Sequence, residues 1–329
     1  MTTLPLSILD LVIVPEGRTV GEAVAASVEL ARRAEAWGYR RIWYAEHHGM
    51  DDIASSATSV IVAHVAAHTQ RIRLGAGGVM LPNHSPLVIA EQFGTLESLH
   101  PGRIDLGLGR APGGEPETFR ALRRDPAAAE HFAADVVELE ALLGDGAGLR
   151  IRAVPGQGTR VPLYILGSSL YGARLAAKLG LPYAFASHFA PALLDQAISL
   201  YRREFEPSRH LEAPYVIAGI NAIAADRPED AEAMYEAQLR RMAVRLLGRR
   251  GAGVRPDHPG LLDSPVGRQV REMLRVVVLG TGGEVAEGIR AFAARHQVDE
   301  PMIVTYAGDF DARLRSYELL AEAAGLVGG

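Results

Sequence analysis

The chain contains no cysteine among its 329 residues. This absence excludes disulfides, thiolate nucleophiles, and zinc or iron–sulfur centres held by cysteine, and it is compatible with a reducing cytoplasm. Lysine is nearly absent as well, because arginine carries almost all of the basic charge and Lys178 is the only lysine. Since Lys178 lies in the helical stretch GARLAAKLG, we expect a solvated surface residue there rather than a Schiff-base lysine.

Long apolar runs are also missing, because no stretch reaches the ~18 uninterrupted apolar residues of a membrane-spanning helix. The run 4–14 is apolar but short, contains Asp10 and has no basic residue before it, which argues against a signal peptide. Apolar residues make up 48% of the chain, charged residues 22%, and the net charge is −5, a balance typical of soluble globular proteins. We therefore expect a cytoplasmic protein without a nucleic-acid or membrane partner.

Short apolar runs alternate with helix-period segments along the whole chain, which is the pattern of βα units around a parallel sheet. Eight strands are predicted, at 6–12, 41–46, 72–81, 104–109, 163–167, 183–187, 215–224 and 302–306. Amphipathic helices between them include 22–37, 86–99, 132–143, 171–179, 193–205 and 231–247. This α/β pattern favours a closed (β/α)8 TIM barrel, formed by residues 1–329 as one domain, over an open doubly wound sheet.

Two connections are too long for plain crossovers. Residues 144–161 alternate at Leu149-Arg150-Ile151-Arg152 and then turn through Pro155-Gly156-Gln157-Gly158, which suggests a small hairpin insertion. Residues 248–283 are rich in Gly, Pro and Arg, so they are either a mobile lid or a variable surface excursion.

The active site of a TIM barrel is built from the loops that follow the strands, at their carboxyl ends. Strand two is followed by Glu46-His47-His48, strand three ends in Gly75-Ala76-Gly77-Gly78, strand four in Gly107-Leu108-Gly109-Arg110, and strand five in Gly167-Ser168-Ser169. These four segments are therefore the candidates for chemistry.

The twin histidines admit three interpretations: a metal site, proton transfer, or a structural role. Neighbouring residues on a strand point to opposite faces, so His47 and His48 could share an ion only after the strand has ended. His64 and His68 have helical spacing, but an outer helix is far from the mouth, and we predict no metal site. Proton transfer needs only one well-placed imidazole near neutral pH. A catalytic and a structural histidine therefore both remain open.

Glycine-rich segments follow strands three and four. Glycine weakens a strand interior, so Gly75 to Gly78 indicate either close approach of the backbone to a flat ligand or a bulge that curves the barrel. GLGRAPGG resembles a dinucleotide fingerprint, but Pro112 stands where the third glycine belongs. We therefore do not predict a Rossmann domain.

An anion site is predicted where Gly167-Ser168-Ser169 leads into the helix that begins near Tyr171. Free backbone N–H groups and the positive end of the helix dipole meet there, although a serine could simply cap the helix. Arg110 follows the neighbouring strand and suits a phosphate or carboxylate, unless it pairs with an acid at the rim. Together these residues could hold one terminal phosphate, with the rest of the ligand lying towards Gly77 and His47.

Three long blocks carry a family resemblance: RIWYAEHHGM, RIRLGAGGVMLPNHSPLVIAEQFGTLESLHPGRIDLGLGRAPG, and LYILGSSLYGARLAAKLGLPYAFASHFAP. They resemble the bacterial-luciferase-like flavin-dependent monooxygenases over nearly the whole chain, and within that family the single-subunit luciferase-like oxidoreductases. The resemblance implies a barrel that binds FMN at its mouth, with His47 as an acid/base near the flavin.

The same resemblance implies a cofactor-binding set. Gly77-Gly78 would carry a cis peptide under the flavin ring, and Arg110, Ser168 and Ser169 would contact the phosphate. The full set comprises Ala76, Gly77, Gly78, Arg110, Gly167, Ser168, Ser169 and Tyr171. Glu91 resembles a residue near the subunit interface of dimeric relatives, which implies a homodimer.

Three departures from the light-emitting members disfavour bioluminescence and aldehyde oxidation. Gly109 replaces the family's reactive cysteine, and Ser85-Pro86 stands in place of His-Pro, with His84 one residue earlier. No acid follows Arg110 within residues 111–114.

The resulting expectation is a two-component monooxygenase that uses reduced FMN and O2 on a small, partly hydrophobic substrate. No second nucleotide domain is visible, so a separate NAD(P)H:flavin reductase would supply the reduced FMN. The alternatives are an F420-dependent hydride-transfer oxidoreductase of the same fold and a flavin-binding protein without catalysis.

Overall fold

Strands and helices alternate in the computed structural model, which describes residues 4–110, 116–146, 148–248 and 254–327. Within these ranges the strands are β1 (Ser7–Asp10), β2 (Arg41–Tyr44), β3 (Arg73–Met80), β4 (Ile104–Gly109), β5 (Leu163–Gly167), β6 (Tyr183–Phe185), β7 (Val216–Ala224), β8 (Val277–Gly280) and β9 (Glu300–Val304). The helices are α1 (Val20–Trp37), α2 (Thr58–Ala66), α3 (Pro86–Leu99), α4 (Pro116–Leu122), α5 (Phe132–Leu143), α6 (Leu170–Leu179), α7 (Leu194–Glu204), α8 (Pro228–Leu247), α9 (Pro265–Met273), α10 (Gly282–His296) and α11 (Phe310–Ala324).

Local sequence signals set the ends of the helices. Thr19 caps α1 by accepting a hydrogen bond from the backbone N–H of Glu22 at 3.2 Å, and Glu22 bonds back to the N–H of Thr19 at 2.7 Å. This reciprocal pair satisfies two N–H groups that a helix start leaves free. Gly38 ends α1 in the left-handed conformation, with φ of 88°.

Eight parallel strands close into a barrel in the order β1-β2-β3-β4-β5-β6-β7-β9, with β9 pairing back to β1. The predicted (β/α)8 barrel and its eight strands are thereby confirmed. A ninth strand, β8, pairs only with β7, from Asn221 opposite Val277 to Ala224 opposite Gly280. The pairing of β6 with β7 ends at Ala218, and β8 pairs with the same edge of β7 beyond that residue.

The sequence-based prediction missed β8 because the strand lies inside segment 248–283, which was expected to be a long loop. The described part of that segment also contains α9, which packs with α8 through Leu239, Ala243, Leu262 and Val270. The described part of 248–283 is therefore not a plain loop, while its role as a mobile lid or a variable surface excursion stays a prediction.

The predicted hairpin at 144–161 is wrong, since the described residues of that segment contain no strand. Its backbone donors serve the preceding helix instead: the N–H groups of Gly158 and Arg160 donate to the carbonyl of Leu143, at 3.1 and 3.0 Å. Because these donors satisfy the last carbonyls of α5, they are not available to a partner strand.

The amino end of the barrel interior holds a cluster of polar side chains, here called the ionic floor: Ser7, Arg41, Asp105, Tyr164, Tyr215 and Glu300. Arg41 is 1% exposed and donates to Asp105 Oδ2 at 2.7 Å and to Glu300 Oε2 at 3.1 Å. Burial works against its charge, but the two carboxylates raise the pKa of Arg41 above its ordinary value. The charged groups of the floor, Arg41, Asp105 and Glu300, therefore form a buried ionic network, and Tyr215 borders it in a partly buried position.

An apolar layer lies above the floor, formed by alternate residues of the strands, including Leu9, Trp43, Ile217, Met302 and Val304. Trp43 is completely buried, and its indole N–H donates to Asp105 at 3.1 Å. This layer separates the floor from the carboxyl ends of the strands, so the barrel is filled rather than hollow. No helix in the described ranges combines the length and apolar character needed to cross a membrane.

Candidate functional site

The predicted residues on β2, β4 and β5 end or follow those strands, at the carboxyl-terminal mouth of the barrel, whereas Ala76, Gly77 and Gly78 lie within β3. At the end of β2, Glu46 is 1% exposed and lies between two imidazoles. His48 Nε2 is 2.8 Å from Glu46 Oε1, and His84 Nε2 is 2.9 Å from the same oxygen. Glu46 also accepts from the backbone N–H of Met80 at 3.0 Å.

These contacts decide which histidine Glu46 orients. Burial alone would raise the pKa of Glu46, but the hydrogen bonds and charge of His84, and then His48, lower it below its ordinary value. No hydrogen bond joins Glu46 to His47 in the described part of the chain. Glu46 therefore fixes His48 and His84, and His47 stands apart from this network.

His47 is half-buried, and its backbone N–H donates to the carbonyl of Ser55 at 3.1 Å. Its ring Nδ1 is buried and has no partner among the described residues. Burial lowers the pKa of His47 below its ordinary value; the backbone of Ala45 acts in the opposite direction, and the positive charge of Arg245 adds to the lowering. The imidazole is therefore neutral at neutral pH, which is the state that a proton acceptor needs.

Gly77 and Gly78 are joined by a cis peptide bond, as the family resemblance implies. The ladder between β3 and β4 is irregular between Ala76 and Val79. A Cβ on Gly77 would lie 2.8 Å from the side chain of Trp43, and one on Gly78 would lie 2.8 Å from the carbonyl oxygen of Gly107. Packing within the barrel thus requires both glycines, which favours the bulge interpretation. The close approach of a flat ligand stays a prediction.

The predicted phosphate residues meet on the far side of the mouth. The guanidinium carbon of Arg110 lies 4.2 Å from the ring centroid of Tyr171, in the first turn of α6. Ser169 is the N-cap residue of α6, but its side chain makes no capping hydrogen bond. The alternative role of this serine as a simple helix cap is therefore not supported.

The described residues give Arg110 no ion pair and give the hydroxyls of Ser168 and Ser169 no hydrogen bond. An uncapped helix start, two hydroxyls and one cation thus surround the same place, and this donor set fits a phosphate group. Residues 111–115, where the family's acid is missing, lie outside the described residues.

The sequence-based prediction missed two polar residues at the mouth, His188 and Asn221. His188 follows β6 and is 7% exposed, and its carbonyl accepts a hydrogen bond from Asn221 Nδ2 at 2.6 Å. Burial, with a smaller contribution from the nearby His47, lowers the pKa of His188 to about 3. The signal was present in the stretch ASHF, because the same rule that selected the ends of strands two to five also applies to strand six.

Helix α8 borders the mouth as well. Its residue Arg245 forms an ion pair with Asp52, in the loop after His47, and Arg241 donates to the carbonyl of Tyr306 after β9 at 3.3 Å. Because α8 contacts loops after both β2 and β9, it covers part of the mouth. Residues 249–253, within the predicted lid, lie outside the described residues.

The described residues contain no group of three or more His, Cys, Asp or Glu side chains arranged to hold a metal ion. His64 and His68 lie on and just after α2, with ring centroids 4.7 Å apart and ring planes tilted by 60°. His68 Nδ1 is 2.8 Å from the carbonyl oxygen of His64, so this pair makes a local contact away from the mouth.

The family described as luciferase-like monooxygenase matches residues 5–299. The chain belongs to this family. A luciferase-like monooxygenase of Escherichia coli strain K12 is 48% identical over 324 residues, which cover 96% of each chain. The N-acetyl-S-alkylcysteine monooxygenase of Bacillus subtilis is 34% identical and covers 97% of each chain. The predictions of this family and of an oxidoreductase are therefore confirmed.

Among solved structures, apo-MsnO8 superposes with a TM-score of 0.84 at 33% identity and covers 98% of this chain and 99% of its own. The oxygenating constituent of 3,6-diketocamphane monooxygenase of Pseudomonas putida, in complex with FMN, gives 0.74 at 16% identity over 98% of each chain. An F420-dependent secondary alcohol dehydrogenase gives 0.70 at 15% identity over 100% of each chain. The last two comparisons show that this chain shares its fold with a monooxygenase that binds FMN and with a dehydrogenase that uses F420.

Proposed function

We propose that this luciferase-like monooxygenase is FMN-dependent and uses reduced FMN and O2 on a small, partly hydrophobic substrate. A separate NAD(P)H:flavin reductase would supply the reduced FMN. The observation that carries the proposal is the arrangement of the mouth: a phosphate-binding set around Arg110 and Tyr171 lies on one side, and the neutral His47 lies on the other. The mouth thus offers a binding site for the phosphate of FMN and a proton acceptor for the oxygenation reaction.

Each part of the site has a role in this proposal. Arg110, the hydroxyls of Ser168 and Ser169, and the free N–H groups of α6 would hold the phosphate. Reduced FMN, when bound, supplies the two electrons with which one oxygen atom enters the substrate and the other leaves as water. His47 would accept or return a proton at its unpartnered ring nitrogen.

The rim of the mouth supports a partly hydrophobic substrate. Met50, Tyr171 and Phe189 follow β2, β5 and β6 and are 39%, 37% and 46% exposed. Exposed apolar side chains around a cleft are typical of binding sites for apolar groups. The α8 cover would keep water away from the reaction once the substrate is bound.

One experiment tests the proposal. The protein is titrated with FMN and with F420 while flavin fluorescence is followed, and the reduced complex is then mixed with O2 and a substrate panel. The panel includes N-acetyl-S-alkylcysteines, because a relative is named for them. We expect tight binding of FMN and oxygen consumption that depends on a substrate. Binding of F420 without oxygen consumption would support the hydride-transfer alternative, and FMN binding without any turnover would support a non-catalytic flavin protein.

The homodimer and the position of Glu91 at its interface are part of the same proposal. They rest on the family resemblance, and sedimentation equilibrium of the wild-type protein tests the dimer directly.

A further inference from the structure

His188 occupies a place inside the barrel that a side chain of β7 would normally fill. Ile217 of β7 packs into the interior apolar layer, so Gly219, two residues later, faces the same interior. A Cβ on Gly219 would lie 2.2 Å from His188 Nδ1, closer than any real contact. The histidine can therefore enter the interior only because position 219 has no side chain.

Two hydrogen bonds to β7 hold the loop that carries His188 in this position. Ser187 Oγ donates to the carbonyl of Gly219 at 2.6 Å, and Asn221 Nδ2 donates to the carbonyl of His188 at 2.6 Å. Ser187 and Asn221 are both buried, with 0% and 1% exposure. The backbone of this histidine is thus fixed from both sides, which is the support that a binding residue needs.

The ring of His188 has no matching partner for its polar atoms. Its Nδ1 faces the backbone of Gly219 and is closed to a ligand there, whereas its Nε2 makes no hydrogen bond with the described residues. His47 Nδ1 and Asn221 Oδ1 are buried and have no partner among these residues either. Native proteins pair nearly all buried polar atoms, so the unpaired atoms of His47 and Asn221 beside the His188 ring indicate a group that is brought in by a ligand, and Nε2 is the ring nitrogen of His188 that can bind it.

We propose that His188 is a substrate-binding residue of this site, whose ring forms a hydrogen bond with an uncharged polar group of the substrate beside His47. This inference rests on the proposed function, since it takes the mouth to be the substrate site. A neutral imidazole has one N–H and one bare nitrogen, so it can serve a hydroxyl, a carbonyl or an amide. It offers no charge to an anion or a cation, and the charge of Arg245 at the rim is already paired with Asp52.

Four probes that share one aromatic ring test this chemistry: toluene, benzyl alcohol, benzoate and benzylammonium. Each is titrated into protein labelled with [15N]histidine, with and without FMN, and the ring nitrogens are followed by long-range 1H–15N NMR. The signal that disappears in His188→Phe identifies His188. We expect benzyl alcohol to move this signal and to bind about tenfold more tightly than toluene, the gain that one hydrogen bond provides. Benzoate and benzylammonium should show no such gain.

Matched variants separate binding from a structural role. His188→Phe keeps the size of the ring and should lose the preference for benzyl alcohol, whereas His188→Gln should retain part of it. Gly219→Ala keeps the histidine but displaces its ring, so it should lose the preference as well. His210→Phe, whose native side chain contacts Glu140 at 2.6 Å at the opposite end of the barrel, should keep it fully.

Failure of benzyl alcohol to move the His188 signal would overturn the proposal, as would an unchanged preference in His188→Phe. Thermal unfolding of each variant shows whether it is folded, and Gly219→Ala gives an independent result if His188→Phe is not. The NMR titration needs neither turnover nor FMN. A protein that fails to bind FMN would therefore refute the proposed function, while the test of His188 could still be interpreted.

Discussion

The two ends of the barrel interior differ in how their buried polar groups are paired. At the ionic floor, Arg41 contacts two carboxylates and the hydroxyl of Tyr164, which it reaches at 2.7 Å. At the mouth, ring nitrogens of His47 and His188 are buried and have no partner among the described residues. The floor pairs its charged groups within the chain, although Arg41 Nε meets Glu300 as an ion pair without an aligned hydrogen bond. The mouth, in our proposal, leaves its ring nitrogens for a ligand. The floor is therefore expected to determine stability, and the mouth to determine chemistry.

The largest effect should come from the proton acceptor at the mouth. His47→Gln should lower turnover by roughly 10²- to 10⁴-fold, the usual contribution of a general acid or base, while FMN affinity stays unchanged. His48→Gln is the matched control, because its amide can still contact Glu46, and it should change turnover much less. Steady-state oxygen consumption with saturating reduced FMN measures both, and an active His47→Gln variant with bound FMN would remove His47 from the chemistry.

The second-largest effect is expected on stability, from a change in the ionic floor. Arg41→Met should destabilise the protein by up to about 3–5 kcal/mol, because the buried carboxylates would keep only the more exposed Arg73 and Arg40 as cations. Arg18→Met removes an exposed pair with Glu22 and should cost less than about 1 kcal/mol. Urea unfolding of both variants compares them, and a loss below 1 kcal/mol in Arg41→Met would show that the floor is not what stabilises the barrel.

The phosphate set should show a smaller and more selective effect. Arg110→Ala should weaken FMN binding by about 10- to 100-fold, the contribution of a hydrogen bond to a charged group, and should leave riboflavin binding unchanged because riboflavin has no phosphate. Arg174→Ala in α6, the helix that carries Tyr171, is the control; Arg174 pairs with Glu204, and its loss should affect neither ligand. Equal weakening for FMN and riboflavin would place Arg110 against another part of the cofactor.

The smallest effect is a pH dependence of stability. The pKa of His188 is held at about 3 by burial, below the ordinary value of 6.5. Between these two pH values the unfolded chain binds a proton that the folded chain does not, so the free energy of unfolding falls as the pH falls. The loss should reach roughly 2 kcal/mol from pH 6.5 to 4.5 and should be smaller in His188→Phe. Urea unfolding at both pH values measures it, and identical pH profiles would contradict the buried neutral ring.

The regular sequence pattern made the barrel predictable. The parts of the site that depend on contacts between residues distant in sequence could not be predicted. Alternating apolar runs marked all eight barrel strands, and the strand-end rule located His47, Arg110 and the serines. The partners of Glu46 could not be found this way, because His84 lies 38 residues further along the chain. The position of His188 likewise depends on the missing side chain of Gly219 on the next strand.

Errors arose where a local pattern had a different partner in the fold. The alternation at 149–152 suggested a hairpin, yet the nearby N–H groups of Gly158 and Arg160 bond to the end of α5. Strand β8 was overlooked because it lies in a Gly- and Pro-rich segment and pairs with β7 alone. Such choices depend on which backbone groups are already satisfied, which composition and periodicity do not report.

The monooxygenase proposal is tested most directly by mixing the reduced, FMN-loaded protein with 18O2 and each substrate of the panel, and by measuring the 18O content of the product. We predict one 18O atom per product and one equivalent of reduced FMN consumed, with incorporation lost in His47→Gln. Oxygen consumption that yields only hydrogen peroxide across the panel, or product without 18O, would contradict the assignment of the mouth as a monooxygenase site.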